Sequence, residues 1–122
     1  MENNAPSKEW KLSLRGGSLS LKFLPYWFSV GHNNLYPSLK TYDDFLKIRV
    51  VFRKKEFFYH ELEGVDFSAG FFQGNALSFI PREGFFRYTV ALQEKDDVKE
   101  VLLFLEKKGV PLMEKARRFL RE

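Results

Sequence analysis

The first helical period in this chain appears only near residue 97; everything before it reads as strands and turns. In DDVKEVLLFLEKKG, Val98, Val101, Leu102 and Leu105 share one face. Asp97 with Glu100 three residues on predicts a capping box, and Asp96 adds negative charge at the positive end of the helix dipole. Lys107 and Lys108 suit the C-terminal end, and Gly109 is the expected residue just past it. A second short helix, PLMEKARRFLRE, restarts at Pro111. A chain that brings its helices last must bury strand against strand first.

The strand signals are short and close together. WKLSLRGGSLSLKFL alternates on both sides of Gly16-Gly17, which predicts a hairpin with its turn at the glycines. YWFSV reads as the next strand, and GHNNLYPSLKTYDD, rich in turn formers, as a long irregular connection. LKIRVVF, a charged RKK turn and EFFYH form a second hairpin, and Gly64 breaks the run before VDFSA. GFFQGN reads as a plain loop, because neither a following helix nor a Lys stands behind it to make a phosphate loop. ALSFI and FFRYTVAL flank a Pro-Arg-Glu-Gly turn. Hairpin-length links argue for antiparallel pairing rather than βαβ crossovers. The expectation is mostly β: a small antiparallel barrel of about seven strands, capped by one amphipathic helix, with a short second helix. Residues 1–9 form a tail, 10–109 one domain, and 110–122 a basic amphipathic helix.

Composition narrows the chemistry. There is no Cys, which excludes disulfides, thiolate metal sites and thiol nucleophiles. Of 122 residues, 14 are Phe, enough aromatic area for a sizeable core. The net charge of +4 allows contact with phosphates or anionic lipid without requiring either. The polar start MENNAPSKEWK lacks a signal-peptide pattern, and Pro25, Gly31 and Pro37 interrupt the one stretch that tempts a membrane reading. A cytoplasmic location is the expectation.

The layout, strands closed by one C-terminal helix, resembles the small bacterial pleckstrin-homology-like (PH-like) domains. FFYHELEGVDF looks like their strand–turn–strand, and ALSFIPREGFFRYTVAL followed by DDVKEVLLFLEKKGV like the closing hairpin and capping helix. The resemblance spans roughly residues 10–109 and implies a non-catalytic scaffold that binds head groups, peptides or proteins. Where phosphoinositide-binding members carry a dense basic cluster around the first hairpin, this chain has Lys11, Arg15 and Lys22. A second, partial resemblance is to PilZ domains. Arg49 and Arg53 match their Arg-x-x-x-Arg half, and Asp66, Ser68 and Gly70 are similar to the Asp-x-Ser-x-x-Gly half, with the glycine one residue early. That resemblance implies cyclic di-GMP as a ligand.

No catalytic constellation is visible: there is no Gly-x-Ser-x-Gly elbow, no His-Glu-x-x-His and no Gly-Lys-Ser/Thr loop. His60 and Glu61, read as strand neighbours, point to opposite faces and cannot share a metal ion. The chain is therefore expected to be no enzyme and to hold no metal or cofactor. The doublets Phe57-Phe58, Phe71-Phe72 and Phe85-Phe86 each send one ring inward and one outward. Phe58, Phe72 and Phe86 are the expected outward set, either covered by the terminal helices, where Phe104 and Phe119 can pack, or offered to a protein partner or a second copy. Candidate anion contacts are Arg15, Arg49, Arg53, Lys54 and Lys55, with Arg117 and Arg118 on the last helix, which could lie on an anionic membrane. Alternation places Lys47, Arg49 and Val51 on one strand face, thin for a groove that tracks a phosphate backbone, so nucleic acid is not among the expected partners.

Overall fold

A computed structural model describes residues 8–10, 12–21, 29–33, 37–50, 53–68 and 75–121. Nine strands, β1(Lys8–Trp10), β2(Leu12–Leu21), β3(Ser29–Asn33), β4(Ser38–Thr41), β5(Phe45–Val50), β6(Arg53–Phe58), β7(Leu62–Ser68), β8(Ala76–Pro81) and β9(Phe86–Leu92), precede α1(Lys95–Lys107) and α2(Glu114–Arg121). A 3-10 turn, Tyr59–Glu61, links β6 to β7. The strands form two antiparallel sheets, in the order β1-β4-β5-β6 and β3-β2-β9-β8-β7. β1 and β2 belong to different sheets, and so do β3 and β4. The chain thus stitches the two sheets together along one side. On the other side β6 and β7 are not paired among the described residues, so no closed barrel is found.

Alternation drives this arrangement. In β5, Leu46, Ile48 and Val50 are buried, while Arg49 is exposed and Phe45 and Lys47 are half-buried. In β8 and β9 both faces are largely buried, because one lies on the other sheet and the other under cover of the chain's end. Phe79, Leu77, Val90 and Leu92 sit at the centre with Val98, Val101, Leu102 and Leu105 of α1. The one polar pair buried there, Ser78 and Thr89, satisfies itself across the strands at 2.8 Å.

Several sequence expectations change. The Gly16-Gly17 hairpin is not formed: β2 runs through both glycines, and its partners are β3 and β9. The irregularity falls as a register shift between Leu12 and Gly17 in the pairing with β9. The long connection read at 31–44 contains most of β3 and all of β4. Arg53, Lys54 and Lys55, read as a turn, open β6, and Gly64 lies inside β7. α1 starts earlier than Asp97, with Glu94 at the N-cap, and its cap is made by backbone rather than a side chain. Its other end behaves as expected. Gly109 takes φ of +86°, its N–H bonds to Glu106 O, and Val110 N–H to Leu105 O, both at 3.0 Å. That is a Schellman motif with Val110 tucked back into the core.

The residues after it do not enter a helix at once. Pro111–Met113 run beside β7: Val65 N–H bonds to Pro111 O (3.1 Å) and Met113 N–H to Val65 O (2.9 Å). Gly64 permits this approach, since a Cβ there would stand 2.8 Å from Met113 Sδ. α2 then lays Ala116 and Phe119 inward, Phe119 stacking on Phe67 with centroids 4.1 Å apart. No helix of the described residues is long and apolar enough to cross a membrane.

Candidate interaction surface

β6 pairs only with β5, and its other edge is open among the described residues. Register places the outward side chains of this sheet in three rows. Phe45 faces Phe58; Lys40, Lys47 and Glu56 lie across from one another; Ser38, Arg49 and Lys54 form the third. Two residues of strand separate successive rows, about 7 Å.

The aromatic row is built from beneath. The 3-10 turn follows β6 because the Glu61 carboxylate accepts the Phe58 N–H at 2.8 Å. That turn swings Tyr59 inward. Its hydroxyl donates to Tyr42 O (2.6 Å) and lies 2.9 Å from Phe45 O, fixing the β4–β5 turn. Burial holds the Tyr59 hydroxyl well above the usual phenol range, and Asp43 and Asp44 push the same way. Above, Tyr42 stacks on Phe45 (4.4 Å), Phe45 meets Phe58 edge-on (6.2 Å), and Phe58 lies parallel to His60 (5.9 Å). Phe58 remains 52% exposed.

The opposite parity of β6 leans toward the other sheet. The Arg53 Nε–H donates to the Tyr88 hydroxyl at 3.2 Å, and its guanidinium sits 5.0 Å over the Phe86 ring. The turn between β8 and β9 crosses here, with the Arg82 Nε–H donating to His60 O at 2.9 Å. Phe85 stands at its tip, 70% exposed, beside a hollow of about 140 Å³ that reaches Arg53, Phe57 and Tyr88. A second hollow of about 400 Å³ lies between β6, the 3-10 turn and Arg82.

These placements sort the sequence candidates. Phe58 is outward, as read. In the last doublet the outward ring is Phe85, because Phe86 is half-buried under Arg53. Phe71, Phe72 and the GFFQGN loop up to Gly74 lie outside the described residues, as do Lys11, Lys22, Val51, Phe52, Gly70 and residues 26–28 of the YWFSV strand. Arg15 belongs to β2, but its side chain lies outside what is described. Arg49 and Arg53 are not brought together: one points outward, and the other crosses to β9. Asp66 is in the other sheet and accepts the N–H of Phe67 (2.9 Å). The Ser68 hydroxyl is buried without a partner among the described residues. On α2, Arg118 pairs with Glu114 (2.7 Å), and Arg117 donates to Leu112 O (2.6 Å). The apolar side of that helix packs on β7, with Phe119 stacked on Phe67 and Ala116 buried. His60 and Glu61 are in the 3-10 turn, not in a strand.

Sequence reasoning passed over Tyr42, Phe45, Lys40 and Phe85. Alternation in SLKT would have put Lys40 outward, but that strand was read as loop. Nothing local marks Phe85 over Phe86; the parity is set by the Gly84 turn. Among the described residues no group of three or more His, Asp or Glu is placed to hold a metal ion. What the surface offers chemically is aromatic rings, cations and an unpaired strand edge. Comparison of the chain with protein-family models, with curated proteins and with solved structures returns no match.

Proposed function

We propose that this protein is a non-catalytic binding module of PH-like layout that docks a protein partner on its open side. The layout supports the reading. If β1 with β2, and β3 with β4, count as two bent passes, the nine strands become seven passes of an incompletely closed barrel, capped by α1. The observation that carries it is Phe85. A ring 70% exposed on a structured turn, next to a hollow lined by Arg53 and Tyr88, is large apolar surface that the described residues leave uncovered. The cations around it give the partner's rim an acidic preference.

Phe85→Ser tests this. The variant retains the circular dichroism and melting temperature of the parent, since the side chain contributes little to the core. Its association, read as partner capture from a lysate or as self-association in sedimentation, weakens at least tenfold. Equal capture and equal sedimentation by parent and variant would remove Phe85 from the binding surface and the reading with it.

A further inference from the structure

We infer that the outer face of the β1-β4-β5-β6 sheet is a binding surface for single-stranded nucleic acid. It rests on the binding-module reading only in needing this side uncovered; the residues are different from the Phe85 tip.

Three observations carry it. First, the face gathers four cations, Lys40, Lys47, Arg49 and Lys54, from three strands. Only Lys47 has an acidic partner, Glu56 at 3.5 Å, and among the described residues no carboxylate lies within ion-pair distance of Lys40, Arg49 or Lys54. Second, a hollow of about 420 Å³ opens over these residues, lined by Lys40, Lys47, Arg49 and Lys54. Third, the same face carries the aromatic row. Tyr42, Phe45, Phe58 and His60 form one chain of ring contacts, and Phe58 keeps an open surface. The rings thus form one row at one end of the face, and the two rows that hold the cations lie about 7 and 14 Å further along the strands.

Two rows of cations beside an exposed ring, Phe58, match a strand whose phosphates are neutralised and which stacks a base at one end of the face. A duplex hides its base faces, so it would use the charges and leave the rings idle. A bilayer favours a continuous apolar patch, and here one exposed ring, Phe58, stands beside Glu56 and the cations. An acidic peptide would use the cations alone. Four cations stand against two carboxylates, Glu9 opposite Lys40 and Glu56 opposite Lys47, so the charge surplus is small. Binding is accordingly salt-sensitive and tolerant of base sequence, with stacking supplying a large share.

The test is fluorescence anisotropy of a labelled oligothymidylate titrated with the full chain. Binding is expected at about 50 mM salt and about twentyfold weaker at about 200 mM, for some three neutralised phosphates. Arg49→Glu with Lys54→Glu, both exposed, weakens it at least tenfold. Phe58→Ala weakens it about tenfold, within the range of one lost base stack, and Phe58→Trp restores it. Phe85→Ser leaves it unchanged, which separates this surface from the protein-docking tip. The inference is overturned by absence of binding at low salt. It is equally overturned if Phe58→Ala binds as the parent does while inorganic polyphosphate competes as well as the oligonucleotide, which marks a polyanion surface only. Displacement of the oligonucleotide by phosphatidylserine vesicles at matched charge would reassign the face to membrane and end it too.

Discussion

β6 and β7 are consecutive strands that end up on facing sheet margins, and the molecule treats the two margins in opposite ways. β7 is covered. Pro111–Met113 bond to Val65 on both sides, α2 packs on the strand, and Phe119 stacks on Phe67. β6 has no second partner strand among the described residues and reads Arg-Lys-Lys-Glu over its first four residues. Unpaired strand edges invite pairing with other chains, and proteins blunt them either by covering them or by charging them. Here one margin uses the chain's own end and the other uses lysine and arginine. The covered margin is part of the core, and the charged margin is where the surface remains available. The packed margin and the charged margin therefore lie on opposite sides of one opening.

The comparison breaks most readily at the covered side. Phe119→Ala removes the ring that holds α2 on β7 and is expected to cost about 3 kcal/mol, as for other buried aromatics cut to alanine. Urea unfolding measures it. Hydrogen exchange at the Val65 amide should accelerate in parallel, because Pro111–Met113 lose their anchor. A loss in stability with Val65 still protected would show that the edge is covered independently of α2.

Gly64→Ala sharpens the same point on a smaller scale. The added methyl stands 2.8 Å from Met113 Sδ and 3.4 Å from Pro111 O. Overpacking of this kind costs about 1 to 2 kcal/mol. The sulfur is the far end of a flexible side chain, so Met113→Ala in the same molecule should recover most of the loss. Additive losses in the double mutant would mean that the backbone approach, not the thioether, sets the limit.

Tyr59 ties the open side to the core. It is neutral when folded, and burial raises the pH at which it ionises. The unfolded chain ionises its phenol near the ordinary value of about 10. The folded state binds the proton more tightly, so the stabilisation is complete below that pH and is lost as pH rises above it. Stability should fall by up to about 1.4 kcal/mol per pH unit from this group alone. In Tyr59→Phe the alkaline slope should flatten, while stability near neutrality drops by about 1 kcal/mol for the lost hydrogen bond. An unchanged slope in the variant would place the alkaline sensitivity elsewhere.

The two margins also differ in how legible they were. The strand-rich character and the closing helix could be read because alternation and the Gly109 stop are local signals. The face of β5 was readable for the same reason: Lys47 and Arg49 fall opposite Ile48 and Val50, as the two-residue period requires. The fate of Gly16-Gly17 was not readable. A pair of glycines permits a turn, but the partners of β2 are β3 and β9, and β9 lies some seventy residues downstream by the register Gly17↔Val90. Nor could the sequence show that PLM would seat on β7, because that depends on Met113 and Pro111 filling the place where a side chain on Gly64 would stand. The open face is legible strand by strand, but its three rows need the register of β4, β5 and β6 together, and β4 falls in a stretch whose turn formers mask its alternation.

The charged margin gives the smallest change in stability and the clearest separation of roles. Lys54 and Lys55 are exposed, and neither holds an ion pair among the described residues. Replacing them by Lys54→Thr and Lys55→Val should shift the unfolding free energy by no more than about 0.5 kcal/mol, the usual range for surface sites. Yet the same exchange gives β6 a higher strand preference and removes the charges that repel a second edge. The double variant should therefore self-associate more strongly than the parent in sedimentation velocity, with concentration dependence and added β signal. If it sediments as the parent does, charge is not what keeps this edge unpaired. Twist of the strand against the β8–β9 turn would then be the better explanation, with Phe85, at the tip of that turn, shielding the edge.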